Sequence, residues 1–136
     1  MKIVLDSNIL LVAVAIKSSY RPIWTAFLDE KFDLILSDDI LYEYGEIMQR
    51  HSKLGLSNLV MEVFADSANV IRPQVYYSWN AITADPDDNK FFDIAVAANA
   101  DYLVTNDTHF DIIKDLPFPK VNILSANEFL DLLLRQ

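Results

Sequence analysis

Short apolar runs alternating with longer, helix-spaced stretches set the frame of this 136-residue chain. Lys2 to Leu5, Asp33 to Leu36, Asn69 to Ile71, Asp101 to Thr105 and Lys120 to Leu124 are brief and mostly apolar on both faces. Strands of a sheet covered on both sides have that character. The stretches between them carry helix signals. Ser37 is placed to cap a helix running to about Arg50, with Asp38 and Asp39 in its positive first turn, and Ser57 to cap another through about Ser67. The apolar stretch Phe91 to Ala98 predicts a further helix, opened by Asp88. Ser125 and Glu128 form a Ser-x-x-Glu capping box ahead of Phe129, Leu132 and Leu133. Pro117-Phe118-Pro119 reads as a stiff turn between a helix and the last strand. Strands alternating with helices predict an α/β domain with a mostly parallel central sheet of four to five strands.

Composition narrows this frame. A chain of this length, 52% apolar, is expected to form a single domain over residues 1–136 with one core of ordinary size. There is no Cys, which excludes disulfides and thiolate zinc sites and is compatible with a reducing compartment; cytoplasm is the expected location. The apolar stretch Ile9 to Ile16 is too short to span a bilayer and lacks the build of a signal peptide. With only Gly45 and Gly55, no phosphate loop or dinucleotide fingerprint can be drawn. Net charge is −9, which argues against a broad electrostatic grip on nucleic acid, and Arg21, Arg50, Lys53, Arg72 and Lys90 are scattered enough to read as solvated surface.

The acids are the informative feature. Asp6 closes the first strand, Glu43 lies on an early helix, Asp88 opens a later helix and Asp107 follows the strand around Val104. In an open parallel sheet, ligands bind beyond the carboxyl ends of the strands, where Asp6 and Asp107 both fall. Each acid has an ordinary structural alternative: a helix cap for Asp6, a turn-forming residue for Asp107, a helix-dipole partner for Asp88, an exposed helix residue for Glu43. Together they suggest an oxygen-rich site for Mg²⁺ or Mn²⁺ of the kind that acts on phosphate esters, the cations offsetting part of the negative charge locally.

In its ordered motifs the chain resembles a PIN domain, and more narrowly the small prokaryotic PIN proteins that include VapC-like toxins of toxin–antitoxin systems. The matching pieces are Val4-Leu5-Asp6-Ser7-Asn8-Ile9-Leu10, Leu41-Tyr42-Glu43-Tyr44, Asp85-Pro86-Asp87-Asp88-Asn89-Lys90-Phe91 and Tyr102-Leu103-Val104-Thr105-Asn106-Asp107. They run in family order toward Asn127-Glu128-Phe129-Leu130. Ser7 and Asn106 stand where the family often has Thr and Gly. The resemblance implies a three-layer fold and a metal-dependent endoribonuclease using Mg²⁺ or Mn²⁺. Its site would be Asp6, Glu43, Asp88 and Asp107, supported by Asn8 and Thr105, and its partners RNA, an antitoxin protein and a second copy in a homodimer.

Alternatives stay open around the third acid: Asp85, Asp87 and Asp93 compete with Asp88. Asp93 sits about 140° round the helix from Asp88, so both cannot easily face one metal. His109 and His51 read as surface residues. Trp24, Trp79, Tyr76 and Tyr77 read as core or interface, and Tyr76 to Trp79, if exposed, is expected to meet a dimer or antitoxin partner before RNA. Two other functions compete: a non-catalytic PIN-like interaction module, and a phosphatase or phosphotransferase using Asp6 as nucleophile. Against the latter, Asn8 replaces the second Asp expected of such sites.

Overall fold

Parallel strands cannot be joined by tight turns, so each must be followed by a crossover that buries a helix face on the sheet. The computed structural model, which describes residues 1–136, follows that rule throughout. Strand β1 (Lys2–Leu5) leads through helices α1 (Ser7–Ala13) and α2 (Arg21–Leu28) to β2 (Asp33–Ile35). Helices α3 (Asp38–His51) and α4 (Leu56–Asp66) then lead to β3 (Val70–Ile71). A long connection ends in a 3₁₀ turn at Pro86–Asp88 and helix α5 (Asn89–Ala97), which delivers the chain to β4 (Tyr102–Val104). A second 3₁₀ turn at Thr108–Phe110, the one-turn α6 (Asp111–Lys114), β5 (Ile123–Leu124) and α7 (Ala126–Leu134) complete the fold.

The five strands form one sheet in the order β3-β2-β1-β4-β5, every neighbouring pair parallel. The order reverses at β1. Right-handed crossovers therefore place α1–α4 on one face and α5 on the other, giving three layers, and a crevice opens where β1 and β4 diverge into helices on opposite faces. Leu5 of β1 sits opposite Val104 of β4, so the residues after those two strands emerge side by side.

Core packing explains why the strands read as apolar on both faces. Ile3, Val4, Leu5, Leu34, Ile35, Leu103 and Val104 are all buried within one continuous cluster of 32 residues. On the α1–α4 face, Trp24, Phe27, Phe32, Phe64 and Phe129 pack edge to face or tilted. The Tyr44 hydroxyl donates to the Leu5 carbonyl at 2.6 Å, tying α3 to the mouth of β1, and burial holds that phenol protonated.

Two expected starts hold as capping geometry. Ser37 accepts the Ile40 amide at 3.2 Å, and Ser125 with Glu128 closes a reciprocal capping box. Ser57 departs from expectation: α4 begins at Leu56 behind Gly55, whose φ of +88° suits only glycine. Ser57 is buried and its hydroxyl donates across to the Gly45 carbonyl at 3.2 Å, so it joins α3 to α4. The last strand is also shorter than Lys120 to Leu124, because only Ile123 and Leu124 pair with β4. The turn before it holds a cis Phe118–Pro119 bond.

Helix α2 ends in a Schellman arrangement, with Lys31 N–H on the Ala26 carbonyl and Glu30 N–H on the Phe27 carbonyl. Glu30 occupies its left-handed position at φ 59°, where glycine is usual. Nearby, the buried Asn69 amide donates to the Phe27 and Phe32 carbonyls, both at 2.9 Å. Opposite outcomes follow in denaturant unfolding. Glu30→Gly should gain about 1 kcal/mol by relieving the left-handed cost. Asn69→Ala should lose about 2 kcal/mol or more, because two buried carbonyls lose their donor.

Candidate metal centre

Helix α1 starts immediately after β1, so Asp6 is carried to the sheet's carboxyl edge as the strand ends. Its side chain does not cap α1. It accepts instead the Thr105 hydroxyl at 2.8 Å from the end of β4. Thr105 in turn accepts the Asp107 amide at 3.0 Å, so one hydroxyl fixes both the first acid and the loop bearing the fourth. Asp107 does act as a turn former, its Oδ1 accepting the His109 amide at 2.9 Å, which leaves Oδ2 free. Asp6, Asn8 and Asp107 line a cavity of about 540 Å³ with Ile9, Tyr20 and Asn106.

Glu43 comes from the second turn of α3 and is partly buried. Ser7 donates its hydroxyl to Glu43 Oε2, and the Lys90 ammonium pairs with Oε1 at 2.6 Å. On its other side, Glu43 lines a cavity of about 520 Å³ with Asp39, Tyr42, Glu46, Asp87 and Lys90. Asp88 lies at the join of the 3₁₀ turn and α5 and makes no capping bond of its own. Capping there falls to Asp85, which accepts the Asp87 amide at 3.1 Å.

Of the acids competing for the third place, Asp93 is turned to a structural contact. It is buried, and its carboxylate accepts the Trp79 amide at 3.1 Å, anchoring the connection after β3 onto α5. Asp87 is exposed on the Lys90 side of the turn. Asp85, Asp88 and His109 are the one trio of acid or imidazole side chains whose ligand atoms all lie within 4.8 Å of one another. Asp6, Glu43 and Asp107 do not join that trio as a whole, although Asp107 Oδ1 lies 3.4 Å from His109 Nδ1.

Electrostatics nevertheless tie the acids together. Burial pushes the Asp6 carboxyl up, opposed by the Thr105 hydrogen bond, and the charges of Asp107 and Glu43 add to the rise. Asp88 rises to about 6, first through burial and then through repulsion by Asp85, Asp6 and Asp107. Hard oxygen donors gathered from four chain segments, with Lys90 the ammonium paired among them, fit Mg²⁺ or Mn²⁺.

Three contributors were weakly marked or unmarked in the sequence. His109 places Nδ1 at 3.4 Å from both Asp88 and Asp107. Its signal was the two-residue offset from Asp107, which an Asx turn converts into proximity. Ser7 reaches Glu43 whereas Asn8 is exposed. Lys90 looked like one of several scattered cations. Among the aromatics, Trp24 is core, whereas Tyr76 and Tyr77 are exposed and Tyr77, Trp79 and Phe118 form a contiguous stack.

The PIN domain family profile matches residues 2–109. Among solved structures, the chain is similar to one in VapBC2 from Rickettsia felis bound to a DNA fragment from their promoter. Identity is 17% and the TM-score 0.60, covering 92% of this chain and 98% of that one. It is also similar to one in FitAcB from Neisseria gonorrhoeae, with 17% identity, a TM-score of 0.57 and coverage of 91% and 97%. At such identities the likeness is one of fold. No curated protein sequence matches the chain significantly.

The raised Asp88 carboxyl has a signed consequence for stability. The folded chain holds that proton more tightly than the unfolded one, so stability is lost as pH rises from about 4 to about 6. In EDTA at pH 7, Asp88→Asn should therefore melt above wild type, and the gap should close toward pH 4. Calorimetry across that range checks it; a variant melting below wild type at pH 7 would contradict the repulsion.

Proposed function

This chain belongs to the PIN domain family, and from that premise we propose that it is a metal-dependent endoribonuclease whose site is formed by Asp6, Glu43, Asp88 and Asp107. The observation that carries the reading is the Thr105 bridge, which holds Asp6 and Asp107 together at the crevice where the sheet order reverses. Mg²⁺ or Mn²⁺ held among these acids would supply Lewis acidity toward water and phosphate oxygens.

The chain's own residues do the remaining work. Thr105 orients Asp6 by engaging one of its oxygens, at the edge of the cavity that Asp6 lines. Ser7 and Lys90 together fix Glu43, one at each carboxylate oxygen. Asp85, Asp6 and Asp107 all repel the Asp88 carboxylate, and a bound cation would relieve that repulsion. His109 sits between Asp88 and Asp107, able to donate to either from Nδ1. Two cavities flank the acids and leave room for an extended strand to approach from both sides.

Fold likeness to VapBC2 and FitAcB supports reading the chain as the toxin half of a toxin–antitoxin pair, with an antitoxin protein as partner. The exposed Tyr76 and the Tyr77–Trp79–Phe118 stack offer an aromatic surface suited to that partner or to a second copy in a homodimer. No helix is long and apolar enough to cross a membrane, and we place the protein in the cytoplasm.

Cleavage of a mixed single-stranded RNA pool tests the assignment. Wild type should cut in Mn²⁺ or Mg²⁺ and not in EDTA, and Asp6→Asn or Asp88→Asn should reduce the rate about 100-fold or more. Thr105→Val, which leaves all four acids in place, should cost about 10–100-fold by loosening Asp6. Metal-independent cutting would overturn the reading, and a folded wild type that binds metal and antitoxin but never cuts would favour the interaction module.

A further inference from the structure

The two cavities beside the acids differ in chemistry. The one around Glu43 and Lys90 is walled by acids, with Asp39, Glu46 and Asp87 beside Glu43. The one of about 540 Å³ beside Asp6 and Asp107 carries no other charge: Asn8, Ser19, Tyr20 and Asn106 supply amides and hydroxyls, and Ile9 and Val12 an apolar flank. Uncharged polar groups against an apolar flank suit a planar heterocycle, and the volume falls within the roughly 300–1,000 Å³ of small-molecule pockets.

A short relay of hydrogen bonds sets what Tyr20 presents there. The Ala126 backbone amide can only donate, and its acceptor at 2.9 Å is Asn106 Oδ1. That fixes which way the Asn106 amide is turned, so Nδ2 is the atom 2.9 Å from the Tyr20 hydroxyl and the phenol oxygen is the acceptor. No protein group accepts the phenol's own proton, and one Nδ2 hydrogen of Asn106 is likewise unspent. The connection bearing Tyr20 is itself anchored: the Arg21 guanidinium donates to the Val14 carbonyl at 2.6 Å, and the Tyr20 amide to Ser18 Oγ at 3.0 Å. Two donors thus stand together on residues lining the cavity, one from the α1–α2 connection and one from the loop after β4.

We propose that this cavity seats the base next to the scissile phosphate and that Tyr20, positioned by Asn106, donates to a carbonyl oxygen on it. This rests on the nuclease reading above. A carbonyl oxygen has two lone pairs and can take both donors, and uracil, guanine and cytosine each carry one. Adenine has only ring nitrogens to offer, and its N7 lies beside an amino group whose hydrogens would oppose the Tyr20 proton. Unpaired bases are commonly recognised through hydrogen bonds to their edges, and the apolar side of this cavity gives the ring a face to lie against. Tyr20 is thereby the specificity-determining residue and Asn106 the residue that positions it.

Sequencing the ends that the full chain produces from a randomised single-stranded RNA pool in Mn²⁺ tests this. Wild type should disfavour adenine about tenfold at one fixed position beside the cut, since a site built to donate rejects a base that accepts poorly. Tyr20→Phe removes the hydroxyl alone and should keep cutting while the bias falls to about threefold or less. Asn106→Asp keeps an acceptor for the Ala126 amide but turns a second oxygen toward Tyr20, which then donates inward. The bias should shift toward adenine, a change that lost packing would not produce. Tyr42→Phe, in the other cavity, should match wild type. Cutting without base bias in wild type, or a bias unchanged in Tyr20→Phe and Asn106→Asp, would overturn the proposal and leave the nuclease reading standing. No metal-dependent cutting by wild type would overturn both.

Discussion

One hydroxyl holds the candidate site together. Thr105 Oγ1 donates to Asp6 and accepts from the Asp107 amide, and it can do both only because β1 and β4 are neighbours in register at their carboxyl ends. The Asp6 amide confirms that closeness by donating to the Val104 carbonyl at 3.0 Å. Sheet order imposes the adjacency, since strands whose paired residues are 99 positions apart in sequence meet where the winding reverses. Remove the parallel pairing and the acids have no reason to meet.

That closeness opposes stability. Asp6 is buried with two acids acting on it, and Asp88 feels three. The fold tolerates this because the surrounding elements are over-determined: the Ile3–Leu5 core, the Tyr44 bond to Leu5 and the α3–α4 contact through Gly45 and Ser57 all hold the acids' backbones from behind. Strain carried by a few groups and offset by a well-packed neighbourhood is the pattern of a site arranged for a ligand.

What could be read from the sequence follows the range of the interactions involved. The first strand, the Ser37 cap and the Ser125 box depend on residues within a few positions of each other, and local chemistry states them directly. Ser57 misled because a serine before an apolar run looks like a cap, whereas here its hydroxyl is consumed by a helix 12 residues away. The start of the last strand is set by its pairing with β4, a long-range fact. In the site, the acids stood out by type and position, but their partners did not: Lys90 meets Glu43 across 47 positions, and no periodicity marks that. His109 was discounted as a lone turn histidine, and its place between two acids came from the Asx turn at Asp107.

The charge of the whole chain is a poorer guide to substrate than the charge of the site. At physiological ionic strength, exposed charges more than about 8 Å apart are largely screened from one another, so most of the −9 is felt weakly at the crevice. Locally, the four candidate acids with Asp85 carry about −5 against Lys90 at +1, and a divalent ion held there would offset about half of the remainder. Lys90 is held among the acids by a glutamate whose other oxygen is already taken by Ser7. On the nuclease proposal, an acidic chain meets a polyanion by turning its acids toward metal, so that the substrate faces the cation and not the carboxylates.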